Sequence, residues 1–270
     1  MKLPRTANMH RRDYLTAMLA GAAVMTGCAT TSARPKTYVL IHGAYHGRWA
    51  WDAVKPLLEK PGVRVLAPTL KGLAERQHEN GPEVNLDTHI DEVIALLETE
   101  QLRDVVLVGH SYAGMVVTGV CDRRPERIAH VVYLDAFLPD SGQSLYDLVP
   151  AGGRAKARQD TQEKGQGYKA FAPSAAIWGV TGPLLEEINR RMTPHPAMTS
   201  EQPLVLTRGG PYAVPRRTYI DCTQPSMPPF VPIKARVKAD PRWNYIAVPV
   251  GHEVALTHPR LVADILASLA

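Results

Sequence analysis

The stretch VVLVGHSYAGMVVTGVC, residues 105–121, decides the fold class because an apolar strand pattern gives way to a helical pattern around one serine. The apolar run leads into Gly109, Ser111 follows, and the residues after it are typical of a helix. Small residues at positions 109, 113 and 114 let the backbone turn sharply and let the helix pack closely on the strand. The pattern predicts a nucleophile elbow that holds Ser111 at the carboxyl edge of a sheet, above a helix N-terminus that favours negative charge.

A serine at this position is a nucleophile only if a base reaches it; otherwise it is a simple helix cap. Ala113 replaces the second glycine of the G-x-S-x-G pattern, so the motif alone has limited specificity. Among ten histidines, His252 directly follows the last predicted strand, in AVPVGHEVALTHP. The chain order serine, acid, histidine places the base there. We therefore predict that His252 is the general base and interpret His42, His110 and His258 as structural residues.

The negative charge that forms when a serine attacks a carbonyl needs two preorganised N–H donors. The residue after the nucleophile, Tyr112, supplies one backbone amide. The segment LIHGAYHG, residues 40–47, follows the first predicted strand and supplies the other. We expect the amide of Ala44 to be this donor because Gly43 lets the backbone approach closely. Tyr112 and Ala44 are thus the predicted oxyanion-hole residues.

Six short apolar runs rich in β-branched residues alternate with helical patterns from Thr37 onward. Continuous apolar runs separated by helices indicate parallel strands covered on both faces, which defines an α/β fold. The rhythm stops at about 138–216, where Gly, Pro and Gln are frequent. We interpret this segment as a helical cap over the sheet, within one domain that spans 37–270.

The formal net charge of +5 does not indicate a nucleic-acid partner. Four basic residues and one acidic residue before Cys28 account for +3 of it. No basic stripe with interleaved aromatic residues follows, so we expect no nucleic-acid binding. Of the remaining cysteines, we place Cys121 in a helix and Cys222 at a strand end, at opposite ends of the layer, and expect no disulfide between them.

The N-terminal residues 1–27 are typical of an export signal. Paired Arg11 and Arg12 precede an apolar run that is too short to span a bilayer and ends in MTGC. This arrangement resembles a twin-arginine signal with a lipoprotein cleavage site, in which the Cys28 thiol would take the lipid. Residues 28–36 would then form a polar tether. We expect an exported protein, either periplasmic or attached to a membrane through lipidated Cys28.

Several segments together resemble the α/β-hydrolase family, in the branch of plant hydroxynitrile lyases, plant methylesterases and bacterial esterases that include pyrethroid hydrolases. The segments are YVLIHGAYHGRWAWDAVKPLLE, PTLKGLAER, NLDTHIDEVIALLE, DVVLVGHSYAGMV, PERIAHVVYLDAFLPDSGQS and GHEVALTHP. The resemblance covers nearly everything from Thr37 to Ala270 and implies an α/β-hydrolase fold with a Ser-His-acid triad. It is much less specific for substrate.

The resemblance does not fix the triad acid. Plant members carry an aspartate after the penultimate strand, where this chain has Pro225. A proline cannot orient an imidazole ring. Other α/β-hydrolases, including one type of haloalkane dehalogenase, place the acid at the end of the strand after the elbow helix, where this chain has Asp135. We expect Asp135 to be the triad acid and keep Asp221 as the alternative.

These residues predict a carboxylesterase-type serine hydrolase that forms an acyl-enzyme on Ser111. A lactonase or an amidase would use the same triad. The family's hydroxynitrile lyases require a lysine after the base histidine and a threonine in the oxyanion loop, where this chain has Glu253 and Gly43, so lyase chemistry is disfavoured. A non-catalytic ligand-binding protein of this fold remains a further alternative, although it would need no complete triad.

The substrate is predicted only as a class. Aromatic residues in the entrance loop, its following helix and the cap favour a small to medium apolar or aromatic ester. They are Tyr45, Trp49, Trp51, Phe137, Tyr146 and Trp178. For any single one of them, the sequence favours core packing over contact with the substrate. No dinucleotide, P-loop or zinc-protease motif occurs in the sequence, so we expect neither cofactor nor metal.

Overall fold

The computed structural model describes Met1 and residues 35–269. The predicted export signal, most of the predicted tether and Cys28 lie outside the described residues. Among the described residues, no helix is long and apolar enough to cross a membrane.

The centre of the described region is a sheet of six parallel strands in the order β2-β1-β3-β4-β7-β8. The chain adds β2 on one side of β1 and all later strands of this sheet on the other side, so the crossover helices lie on both faces of the sheet. A short antiparallel pair, β5 and β6, lies apart from this sheet. The strands are β1 (Lys36–Ile41), β2 (Val63–Leu66), β3 (Val105–His110), β4 (Ile128–Leu134), β5 (Lys169–Ala170), β6 (His195–Pro196), β7 (Arg216–Cys222) and β8 (Asn244–Val248).

Helices cover both faces of the sheet and fill the segment between β4 and β7. They are α1 (Lys55–Leu58), α2 (Leu86–Thr99), α3 (Ala113–Arg123), α4 (Leu145–Leu148), α5 (Ala151–Lys164), α6 (Pro183–Arg191), α7 (Met198–Glu201), α8 (Val231–Ala239), α9 (Val254–Thr257) and α10 (Pro259–Ser268). The prediction of an α/β-hydrolase fold with a mainly parallel sheet is confirmed.

The strands divide their side chains between two cores with the period of two that a strand imposes. In β3, Val105 and Leu107 pack into one core with helices α2, α3 and α8, whereas Val106 and Val108 pack into the other with α1 and α10. All four side chains are buried. This double burial explains why the sequence shows continuous apolar runs and not alternation.

The segment between β4 and β7 contains the helices α4 to α7 and the β5–β6 pair, joined by loops. Cys121 and Cys222 are buried free thiols among the described residues. Both lie at the ends of elements where the sequence pattern places them, in α3 and at the end of β7.

Candidate active site

Ser111 lies in a tight turn between β3 and α3. Its φ of 56° is in the left-handed region that a side chain other than glycine rarely adopts. A Cβ atom at Gly109 would lie 2.9 Å from Val117, and one at Gly114 would lie 1.9 Å from the carbonyl oxygen of Phe137. Only glycine therefore lets α3 pack this closely behind the serine. Ala113 is accommodated as a fully buried residue, so the departure from the glycine pattern leaves the turn intact.

His252 follows β8 and reaches the serine from the same edge of the sheet. Its Nε2 atom is 2.9 Å from Oγ of Ser111, and its Nδ1 atom is 2.7 Å from Oδ2 of Asp135. A carboxylate only accepts hydrogen bonds, so Nδ1 carries the proton and Nε2 is free to accept the proton of the serine. The side chain of His110 donates from Nε2 to the carbonyl oxygen of His252 at 3.0 Å, and thereby holds the base's backbone.

The structure brings Asp135, and not Asp221, against His252. Asp135 comes directly after β4 with a φ of 42°, and its side chain is fully buried. Its second oxygen, Oδ1, accepts from the amide of Cys222 at 3.2 Å. Asp221 contacts the hydroxyl of Tyr245 instead.

Lys234 lies between the two aspartates. Its Nζ is 2.9 Å from Oδ1 of Asp135 and 2.5 Å from Oδ1 of Asp221, and it donates to the carbonyl oxygen of Cys222 at 2.9 Å. Burial lowers the pKa of Lys234, but the two carboxylates outweigh burial and the net pKa is raised. Burial likewise raises the pKa of Asp135, but the hydrogen bond from His252 and the charge of Lys234 bring it below its usual value. The acid is therefore held ionised.

Sequence reasoning did not identify Lys234. It lies on α8 beside Ile233, on the face that the spacing of Ile233 and Val237 marks as buried. A lysine at the border of an apolar face usually extends to solvent, so only its position in the fold could reveal the contact with the aspartates.

The amides of Ala44 and Tyr112 have no hydrogen-bond acceptor among the described residues. Both residues line the cavity above Ser111. Because backbone amides out of contact with solvent are almost always paired, two unpaired ones beside a serine fit a site that accepts a developing oxyanion. A Cβ atom at Gly43 would lie 3.1 Å from Cβ of Ser111, so a larger residue there would crowd Ser111.

The cavity has a volume of about 530 Å³ and is mostly apolar. Of the six aromatic residues that the sequence suggested, four line it: Tyr45, Phe137, Tyr146 and Trp178. Trp49 and Trp51 do not; both are buried in core packing, the role that the sequence favoured for any single one of the six. Sequence reasoning missed several apolar lining residues, namely Leu145, Val149, Phe171, Ile177, Met227 and Phe230. The lining can hold one ester of modest size.

No group of histidine, cysteine, aspartate and glutamate side chains suited to a metal ion occurs among the described residues. His42, which lies beside the site, has hydrogen-bond partners at both ring nitrogens that account for its burial. His42 accepts from the amide of Leu70 at 3.1 Å and donates to the carbonyl oxygen of Gly43 at 2.9 Å, which fixes the oxyanion loop.

A Ser-His-Asp arrangement on this sheet, with two free amides above it, defines a hydrolase. The chain belongs to the alpha/beta hydrolase family, which matches residues 38–265. The structure resembles an extracellular alpha/beta-hydrolase from a Paenibacillus species, with a TM-score of 0.76 and 24% identity over 87% of this chain and 98% of that one. It also resembles a pyrethroid hydrolase from Sphingobium faniae, with a TM-score of 0.67 and 21% identity over 87% and 96% of the two chains. These two likenesses establish the fold.

Sequence relatives extend the comparison to activity. A carbendazim hydrolyzing esterase from a Nocardioides species is 40% identical over 245 residues, which cover 86% of this chain and 98% of the relative. Methylesterase 2 of Arabidopsis thaliana is 37% identical over 113 residues, which cover 41% and 43% of the two chains. The chain is a hydrolase of the carboxylesterase type.

Proposed function

We propose that this protein hydrolyses small to medium apolar or aromatic carboxylic esters through an acyl-enzyme on Ser111. The observation that carries the proposal is the continuous contact from Ser111 through His252 to Asp135 at one edge of the sheet. The apolar cavity above the serine supports the substrate class.

In the proposed acylation, Oγ of Ser111 attacks the ester carbonyl carbon while Nε2 of His252 takes the hydroxyl proton. The carbonyl oxygen becomes an oxyanion, and the amides of Ala44 and Tyr112 donate to it. Asp135 holds the imidazole in the required tautomer and offsets the positive charge on the ring. The tetrahedral intermediate then expels the alcohol, which takes the proton from His252.

Deacylation repeats these steps with water. His252 removes a proton from the water as its oxygen attacks the acyl carbon, and the second tetrahedral intermediate releases the carboxylic acid as Ser111 recovers the proton. No cofactor enters this mechanism. One relative is named for carbendazim and another is a methylesterase, and a methyl ester has a small alcohol group. Esters with a small alcohol group are therefore the first substrates to test.

A panel of p-nitrophenyl esters of rising acyl length tests this proposal. We expect Ser111→Ala to lose essentially all turnover, because it removes the hydroxyl oxygen that His252 contacts. Mass spectrometry of the wild-type chain after reaction with a fluorophosphonate should place the adduct on Ser111. Circular dichroism confirms that the variant is folded. Wild-type rates in Ser111→Ala, or a fluorophosphonate adduct elsewhere, would contradict the mechanism.

We further propose that the protein is exported and attached to a membrane through a lipid on Cys28. The supporting features are the paired arginines Arg11 and Arg12, the short apolar run and the MTGC sequence. Fractionation of cells should place the wild type with membranes, and Cys28→Ser should release it. Unprocessed protein found in the cytosol alone would refute the proposal.

A further inference from the structure

Glu253 is a buried carboxylate at the active site that the proposed mechanism does not use. It directly follows His252, is only 3% exposed, and lines the same cavity as Ser111. It is the N-cap residue of α9, but its side chain makes no capping hydrogen bond. Its burial therefore has no explanation in helix capping.

The closest charged or titratable partner of Glu253 is His46. Nε2 of His46 lies 3.5 Å from Oε2 of Glu253, beyond the usual length of a hydrogen bond. Among the described residues, Nε2 of His46 is buried with no hydrogen-bond partner. Nδ1 of the same ring is 2.7 Å from the carbonyl oxygen of Ala44, and a carbonyl only accepts, so Nδ1 holds a proton.

Among the described residues, neither Nε2 of His46 nor the carboxylate of Glu253 has a hydrogen-bond partner, and the two groups lie 3.5 Å apart at the wall of the cavity. An ammonium group that enters the cavity beside this pair can donate one N–H to the carboxylate and direct a second toward the ring nitrogen. Burial raises the pKa of Glu253, but His46, His110 and His252 outweigh burial and keep it below its usual value. The carboxylate is therefore available as an acceptor at neutral pH.

The position of this pair relative to the reacting atoms is defined by the chain. Glu253 is adjacent to the base, and His46 lies two residues after the oxyanion-hole residue Ala44. The ring of Trp178 lies 6.0 Å from the rings of both His46 and His252. Trp178 and Glu253 line the same cavity, and an aromatic ring there favours an ammonium group that reaches its face.

We propose that Glu253 and His46 form a subsite for an amino group of the substrate, so that the preferred substrates are esters whose acyl part carries an N–H donor close to the scissile carbonyl. We name it the Glu253–His46 subsite. The inference rests on the proposed function and adds a substrate class to it: an apolar or aromatic body in the cavity, and an amine at this subsite.

A second role for Glu253 would be purely electrostatic, through the charge that forms on His252 during turnover. That role would affect all esters equally, because the charge on the imidazole does not depend on the acyl group. The subsite instead acts on amine-bearing esters alone. The ratio of the kcat/KM values for an ester with the amine and an ester without it therefore separates the two roles.

The test compares L-phenylalanine methyl ester with methyl 3-phenylpropanoate, which has the same carbon skeleton without the amine. We expect the ratio of their kcat/KM values to fall about 10- to 100-fold in Glu253→Gln, the cost of one hydrogen bond to a charged group. Intrinsic reactivity cancels because each variant is compared with the wild type on the same two compounds. An unchanged ratio in Glu253→Gln would overturn the subsite.

Asp160→Asn is the matched control. Asp160 lies at the rim of the same cavity, but its carboxylate is 2.7 Å from Nζ of Lys156 and 2.6 Å from Nζ of Lys164. We expect this variant to keep the wild-type ratio. An equal fall in Asp160→Asn would mean that the cavity attracts amines through its overall negative charge, and the assignment to Glu253 and His46 would fail.

Binding separates this inference from the proposed function. If the wild type hydrolyses neither these two esters nor any p-nitrophenyl ester, the proposed function is contradicted, and calorimetry with the two compounds then decides the subsite by itself. Ser111→Ala keeps the cavity and binds without reaction. Tighter binding of the amine-bearing ester to Ser111→Ala than to Ser111→Ala with Glu253→Gln supports the subsite, and equal binding refutes it.

Discussion

Two buried carboxylates flank His252, and their surroundings differ in kind. Asp135 is enclosed on every side by donors: the imidazole, the ammonium of Lys234 and the amide of Cys222. Glu253 has the edge of His46 at 3.5 Å and otherwise faces the cavity. Burial is nearly the same for both side chains. The hydrogen-bond partners of a buried acid therefore distinguish the two cases better than its burial does. An acid surrounded by donors supports the protein's own structure, and an acid without them is available to a ligand.

The largest effect should come from removing the charge of the enclosed acid. We expect Asp135→Asn to lower kcat by about four decades with little change in KM, because the amide no longer fixes the tautomer of His252 or offsets its charge. Asp221→Asn is the matched control and should cost far less, since Asp221 does not contact the histidine. Both variants are assayed on one ester at one pH, with circular dichroism as a check on folding. A crippled Asp221→Asn beside an active Asp135→Asn would transfer the triad acid to the later strand.

The next effect concerns the cation that encloses Asp135. We expect Lys234→Met to lose about 3–5 kcal/mol of unfolding free energy, because it leaves two buried carboxylates without their shared partner. Urea unfolding at neutral pH measures the loss. Lys238→Met, an exposed lysine on the same helix, should change it little. If Lys234→Met is as stable as Lys238→Met, the buried cluster does not hold the acid in place.

The same variant has a defined pH signature. The lowered pKa of Asp135 contributes stability that is present above its unfolded pKa and is lost as the pH falls through its folded pKa. Without Lys234 the folded pKa of Asp135 rises, so the acid limb of both activity and stability should move to higher pH. The raised pKa of Lys234 contributes stability below its unfolded pKa, near 10.5, which is lost as the pH rises through the folded value. In Lys234→Met, the free energy of unfolding should therefore not show this fall at alkaline pH.

The smallest effect on the free energy of unfolding should come from replacing Glu253, the acid that lines the cavity. We expect the unfolding free energy of Glu253→Met to equal or exceed that of the wild type, because an apolar side chain replaces a buried carboxylate that has no close donor. Urea unfolding with an unchanged m value checks this. A loss of more than about 2 kcal/mol would place Glu253 with Asp135, as a residue that the protein needs for its own stability.

Much of the site could be predicted from the sequence because its central parts are local. The elbow around Ser111 is a strand, a turn and a helix in one continuous segment, and His252 follows the last strand at the edge where parallel strands end together. The preference for Asp135 depended on two observations: Pro225 occupies the usual acid position, and Asp135 lies at the strand end where other members of the fold carry the acid. The sequence left Asp221 open because both aspartates end neighbouring strands.

The remaining parts are relations between distant segments, and only the tertiary structure decided them. The alternation of apolar runs and helices determined a parallel sheet, and the motif determined which serine lies at its edge. Whether Trp49 faces the cavity or the core depends on the path of a loop, and no periodicity encodes that path. Likewise, the side chain of Lys234 reaches Asp135 and that of His46 reaches Glu253 only because the sheet order brings helix α8 and the first loop to the same edge. Local patterns specify elements through short-range sterics and burial, whereas a contact between side chains far apart in the chain exists only once those elements are packed.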